Sequence, residues 1–238
     1  MGVQSPPQWT PQQPQSTVER SALTKVAWFG LVWIAGIVAG WVLYFFVFVT
    51  SFTSTFFNTL PPNPTPSQVS SAMGPLFQSF TIIIPVVLAI EVVGVILLTL
   101  ALRQLRTTDP EFSLPSKLTL LLVAGVVLVA IGVVPLFYNL PNIIASAPSQ
   151  TGATPSSAFM SSLGTIFVYL GVMALGGLLA LIGMVGGLIL GVWKLGTRYG
   201  ETLFKIGAIL FIIPVANVLA PILVLLAAIQ VRGRLPAA

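Results

Sequence analysis

Residues 80–104 read FTIIIPVVLAIEVVGVILLTLALRQ, an apolar run broken by one acid, Glu91, before the first cation at Arg103. Such a run meets the ~20 residues that carry an α-helix across the hydrocarbon of a bilayer. The rest of the chain has the same character. Of 238 residues, 10 are Lys or Arg and 5 are Asp or Glu, a net charge of +5, and charged residues make up 6%. Soluble domains carry about 25%. With 56% hydrophobic residues and a mean hydropathy of +1.01, there is too little polar surface to cover a globule in water. A soluble enzyme, a disordered chain and a secreted scaffold are excluded, and an all-α, polytopic membrane bundle is expected.

The chain has no His and no Cys. Thiolate nucleophiles, imidazole bases, Cys/His metal sites and disulfides are therefore absent, and no enzyme, metal or cofactor is expected.

Apart from Glu91, the charges fall in four clusters: Glu19 to Lys25, Arg103 to Lys117, Lys194 to Lys205, and Arg232 with Arg234. Between them lie apolar runs at about 26–52, 80–102, 118–137, 163–193 and 206–231. Two runs separate the first cluster from the second and two more the second from the third, so those clusters share one side. The links at about 53–79 and 138–162 hold no charge. Lys and Arg favour the cytoplasmic side, so the N-terminus is expected there, in a multi-pass protein of the cell membrane. Residues 1–24, rich in Pro and Gln, are expected to be a disordered cytoplasmic tail, 25–231 the membrane domain, and 232–238 a short tail. The run 206–231 is ambiguous. One crossing would place Arg232 and Arg234 outside, whereas a re-entrant hairpin broken around Pro214, Asn217 and Pro221 would keep them inside. Its length favours a crossing, hence about five spans.

Similar strings recur in order. Glu19-x-Ser21-x-x-x-Lys25 matches Glu111-x-Ser113-x-x-x-Lys117, and Leu105, Thr107 and Glu111 match Leu195, Thr197 and Glu201. This is the pattern of a parallel two-helix repeat; chance similarity of loop composition is the alternative.

Three groups of residues are candidates for function. Glu91 lies 12 residues from Arg103, roughly 18 Å along a helix, too far for its carboxyl to snorkel to that end. It is a candidate ion or proton site, or an interhelical hydrogen-bonding group, and Pro85 would kink the helix beside it. Pro214, Asn217 and Pro221 interrupt the last run, as broken transporter helices do, although packing kinks have the same signature. Gly36 and Gly40, and Gly183, Gly187 and Gly191, stand at four-residue spacing and mark close helix packing, a glycine-zipper pattern, within the chain or between copies. The basic residues stand beside acids without interleaved aromatics. Lipid, not nucleic acid, is the expected partner, together with a homo-oligomer or membrane-complex partner.

The stretch 190–228 resembles an uncharacterised family of multi-span archaeal membrane proteins, domain of unknown function family 973. The likeness rests on Lys194-Leu195-Gly196, Lys205-Ile206-Gly207 and Pro214-x-x-Asn217-x-x-x-Pro221. It implies an archaeal origin and brings no activity or site residues. The expected role is a non-catalytic helix-packing protein or accessory subunit, with a small channel or permease using Glu91 and the broken fifth helix as the alternative.

Overall fold

The computed structural model describes residues 13–56, 64–147, 157–213 and 216–236. Four long antiparallel rods dominate: α1 (Gln13–Phe56), α2 (Pro66–Leu105), α3 (Ser113–Ala145), and a fourth made of α4 (Ser157–Gly183), a π-helical turn (Met184–Ile189) and α5 (Leu190–Tyr199). Two short helices follow, α6 (Thr202–Leu210) and α7 (Ala220–Arg234), joined through a 3₁₀ turn at Ala216–Val218. No strand occurs among the described residues, and five helical stretches are long and apolar enough to cross a membrane. The expected helical membrane bundle is the observed architecture.

The helices outrun their apolar cores because local chemistry extends them. α2 begins inside the uncharged link, where Thr65 accepts from the Gln68 backbone and Gln68 Oε1 accepts from the Thr65 backbone N–H at 2.9 Å, a reciprocal cap. α1 begins at Gln13, so the later half of the expected tail is helical. Ala22 and Leu23 are fully buried, and Glu19 and Arg20 are held by other elements, contacts that outweigh the polar composition. Residues 1–12 lie outside the described part.

The fourth rod packs on α3 almost backbone to backbone. A Cβ on Gly183 would fall 2.2 Å from the Leu122 nitrogen, and one on Gly187 2.4 Å from that of Thr119. Gly125 and Gly176 face each other in the same seam. In lipid, where apolar burial gives no net drive between helices, such close approach supplies the dispersion contacts that hold them. Gly191 sits against Leu102 of α2 and Pro115, so all three glycines of this row meet their own chain. By contrast Gly164, Gly171 and Gly177 have nothing within 4 Å.

The run 206–231 is not one helix but is divided between α6 and α7, of which the stretch Ala216–Arg234 is itself long and apolar enough to cross a membrane. Gly200, at φ +64, caps α5 in the left-handed conformation and turns the chain into α6. Gly207 of α6 then lies against Ala220, Leu223 and Val224 of α7. In a continuous helix Gly207 and Val224 would stand roughly 25 Å apart; their contact requires the chain to reverse between them. α7 runs back along α1, with Pro221 and Leu225 against Gly30, and ends where Arg234 reaches Glu201 at 3.0 Å. The C-terminal cations thus return to the face that carries the other charges, the hairpin alternative of the sequence reading. The packed core is concentrated in this half of the bundle, around Phe29, Leu98, Leu195, Phe204 and Val224.

Candidate cleft at the hairpin tip

The helical hairpin covers one side of α1 only as far as its tip. Phe211, at the end of α6, packs with Trp33 at 6.0 Å between ring centroids and with Phe29 at 6.3 Å. Beyond the tip, α1 and α2 continue uncovered and leave a cleft of about 650 Å³. α1 lines it with Trp33, Gly36, Ile37, Gly40, Trp41 and Tyr44, α2 with Val87 and Glu91, and the turn with Asn217 and Val218. The α1 residues recur at three- and four-residue steps, so they form a single stripe on one helix face. Gly36 faces Ile90 and Glu91, and Gly40 faces Val87, so the two glycines bring α1 close to α2 and open the cleft floor.

Glu91 and Asn217, more than a hundred positions apart in sequence, therefore share one cavity. Among the described residues the Glu91 carboxyl has no hydrogen-bond partner and no cation lines the cleft. Asn217 donates its backbone N–H to Ile213 O at 2.8 Å, which fixes the turn, while its side-chain Oδ1 is buried without a partner among the described residues. An unpaired buried acceptor costs about 1–3 kcal/mol. A carboxyl in this condition, at an aromatic and aliphatic cleft, is suited to receive a donor or a positive charge.

Other residues singled out in the sequence lie elsewhere. Pro85 is half-buried on α2 and does not line the cleft. Pro221 is buried, and its carbonyl lies 2.8 Å from the position a Gly30 Cβ would take, so it seats the hairpin on α1. Pro214 lies outside the described residues. Gly183, Gly187 and Gly191 belong to the seams described above. Trp33, Trp41 and Tyr44 were not singled out, although their helical spacing on α1 was legible.

A second polar cluster ties the charged face together. Arg198 of α5 bridges two carboxylates, Glu19 of α1 and Asp109 of the α2–α3 link, the latter at 2.8 Å, and donates to Thr108 Oγ1 at 3.2 Å. Its guanidinium also lies over the rings of Phe112 and Tyr199. Lys194 pairs with Glu111 at 3.2 Å and Lys25 donates to Gln104 at 2.6 Å. Arg20 donates to the Leu235 carbonyl at 2.9 Å and so holds the end of the hairpin. All four acids outside the cleft are thus paired, which leaves Arg103, Arg106, Lys117 and Arg232 exposed without an acidic partner among the described residues. The cluster joins elements distant in sequence and is structural in character.

No curated protein and no solved structure matches the chain. A family described as "Protein of unknown function (DUF973)" matches residues 19–237, nearly the whole chain, and the protein belongs to that family.

Proposed function

We propose that this is a non-catalytic membrane protein of the small channel or permease class, in which the cleft at the hairpin tip meets the solute. The observation that carries the proposal is the convergence of Glu91 and Asn217 on one cavity against a re-entrant hairpin. Ionisable groups at membrane depth are expensive and usually functional, and irregular backbone at that depth is tolerated where it lines a cavity. The glycine row of the fourth rod, which would otherwise favour a protein built for association, is occupied by α3 and α2 of the same chain. The lack of His and Cys supports a role without catalysis. The excess of unpaired cations on the charged face supports its placement at the cytoplasmic side of the cell membrane, against anionic headgroups.

Reconstitution tests this. Liposomes containing the wild-type chain pass protons or monovalent cations, or accumulate an organic cation, and Glu91→Gln abolishes that flux while keeping the monodisperse elution of the wild type. A flux unchanged in Glu91→Gln sinks the proposal.

A second reading, an accessory subunit or homo-oligomer, is favoured by one observation: Gly164, Gly171 and Gly177 leave small residues facing open space on α4. Native mass analysis from mild detergent distinguishes it, since a stoichiometric foreign chain would transfer the function to that partner.

A further inference from the structure

We propose that the cleft takes a protonated amine with an elongated apolar body, the ammonium group lying between Glu91 and the hairpin tip and the body along α1 toward the uncharged end of the bundle. As a substrate assignment this rests on the permease reading; as a binding site it stands on the cavity alone.

Charge selects a cation. Glu91 is the only acid among the lining residues, and no Lys or Arg lines the cleft to neutralise it. In surroundings of low dielectric an incoming positive charge is the complement that removes the carboxylate's desolvation penalty. Hydrogen bonding selects an ammonium that carries N–H. The Glu91 carboxylate accepts only, and a primary ammonium brings three donors. Trp33, Trp41 and Tyr44 stand on the same side of α1 and line the cleft with apolar ring surface.

Shape selects the apolar body. From Trp33 to Tyr44 the stripe runs about 16 Å at the helical rise, and 650 Å³ falls in the range of small-molecule pockets, about 300–1,000 Å³. A bare metal ion is a poor occupant, because one carboxylate and one amide fall short of the six or more oxygens a hard cation gathers. A zwitterionic phospholipid headgroup is also a poor one, since its phosphate would meet no cation in the cleft. A free amphiphilic amine brings the charge that complements Glu91 and an apolar body for the stripe along α1.

The test is equilibrium binding of radiolabelled octylamine to the full chain in phosphatidylcholine nanodiscs, corrected with empty discs. Saturable binding is expected. Octanol and octanoate compete at least tenfold more weakly than unlabelled octylamine. Glu91→Gln weakens binding at least tenfold. Val87→Trp, which fills the cleft from α2 and leaves the carboxyl in place, does the same and guards against a misfolded Glu91 variant. Equal competition by octanol would reduce the site to a greasy groove and overturn the proposal. Displacement by phosphatidylethanolamine in the discs would overturn it in favour of a lipid headgroup. Saturable, Glu91-dependent binding without any flux leaves the amine site standing and removes the permease reading. Glu91-dependent cation flux without amine binding does the reverse.

Discussion

The guanidinium of Arg234 lies 3.0 Å from the carboxylate of Glu201, so the chain leaves the charged face through α6 and returns to it through α7. The pair is corroborated by the Arg20 hydrogen bond to the Leu235 carbonyl, which ties the same end to α1. A segment with the hydropathy of a membrane span therefore begins and ends on one side.

This makes the topology directly testable in a chain without cysteine background. Single cysteines at Gly233, Lys117 and Ser146, probed with an impermeant maleimide in sealed vesicles of one orientation, divide into two classes. Gly233→Cys and Lys117→Cys react from the same side, and Ser146→Cys from the other. Reaction of Gly233→Cys with the Ser146 class would mean that the last segment crosses.

Arg198 serves two carboxylates from two distant parts of the chain, and it and its partners are a quarter exposed or less. Arg198→Met strands Glu19 and Asp109 and is expected to lower stability by about 2–3 kcal/mol, read from denaturant titration in mixed micelles. Arg198→Lys recovers less than half of that, because a single ammonium cannot fork between two acids. A wild-type midpoint in Arg198→Met would show the cluster to be energetically idle.

The glycines of the fourth rod divide by what surrounds them. Gly183→Ala places a methyl group 2.2 Å from the backbone nitrogen of Leu122, where no side-chain motion relieves it, and is expected to cost about 1–3 kcal/mol in thermal unfolding. Gly177→Ala adds a methyl group to open space and is neutral or stabilising by up to about 1 kcal/mol through helix propensity. The same loss in both variants would contradict the seam.

Asn217 carries a buried acceptor without a partner among the described residues, so its removal is expected to relieve the fold. Asn217→Leu is expected to raise stability by about 1 kcal/mol while weakening any ligand at the cleft. A variant less stable than the wild type would indicate that the amide is satisfied in the membrane.

Residues 80–104 announce a membrane helix without reference to any other part of the molecule, because transfer of an apolar side chain into hydrocarbon depends on that side chain alone. Alternation of charged clusters with uncharged links likewise paired the ends of the first four rods. Glu91 stood out by the same logic, as an ionisable group far from either end of its run. The stripe of Trp33, Trp41 and Tyr44 had a visible period, yet nothing local distinguishes a stripe that lines a cavity from one that faces lipid.

The chain's own sequence determined that this is a helical membrane bundle, how many apolar runs it has, and which ends of the first four share a face, since each follows from side-chain transfer energies and charge taken one segment at a time. Only the tertiary structure decided that residues 206–231 reverse, because hydropathy is the same for a run that continues and one that folds back, and the choice is made by Gly207 against Val224, Gly30 against Pro221 and Glu201 against Arg234. The same packing decided that Gly183 and Gly187 meet α3 of their own chain, and that Glu91 and Asn217 face one cleft. These are pairings between distant residues, set by shape and distance, which no single segment encodes.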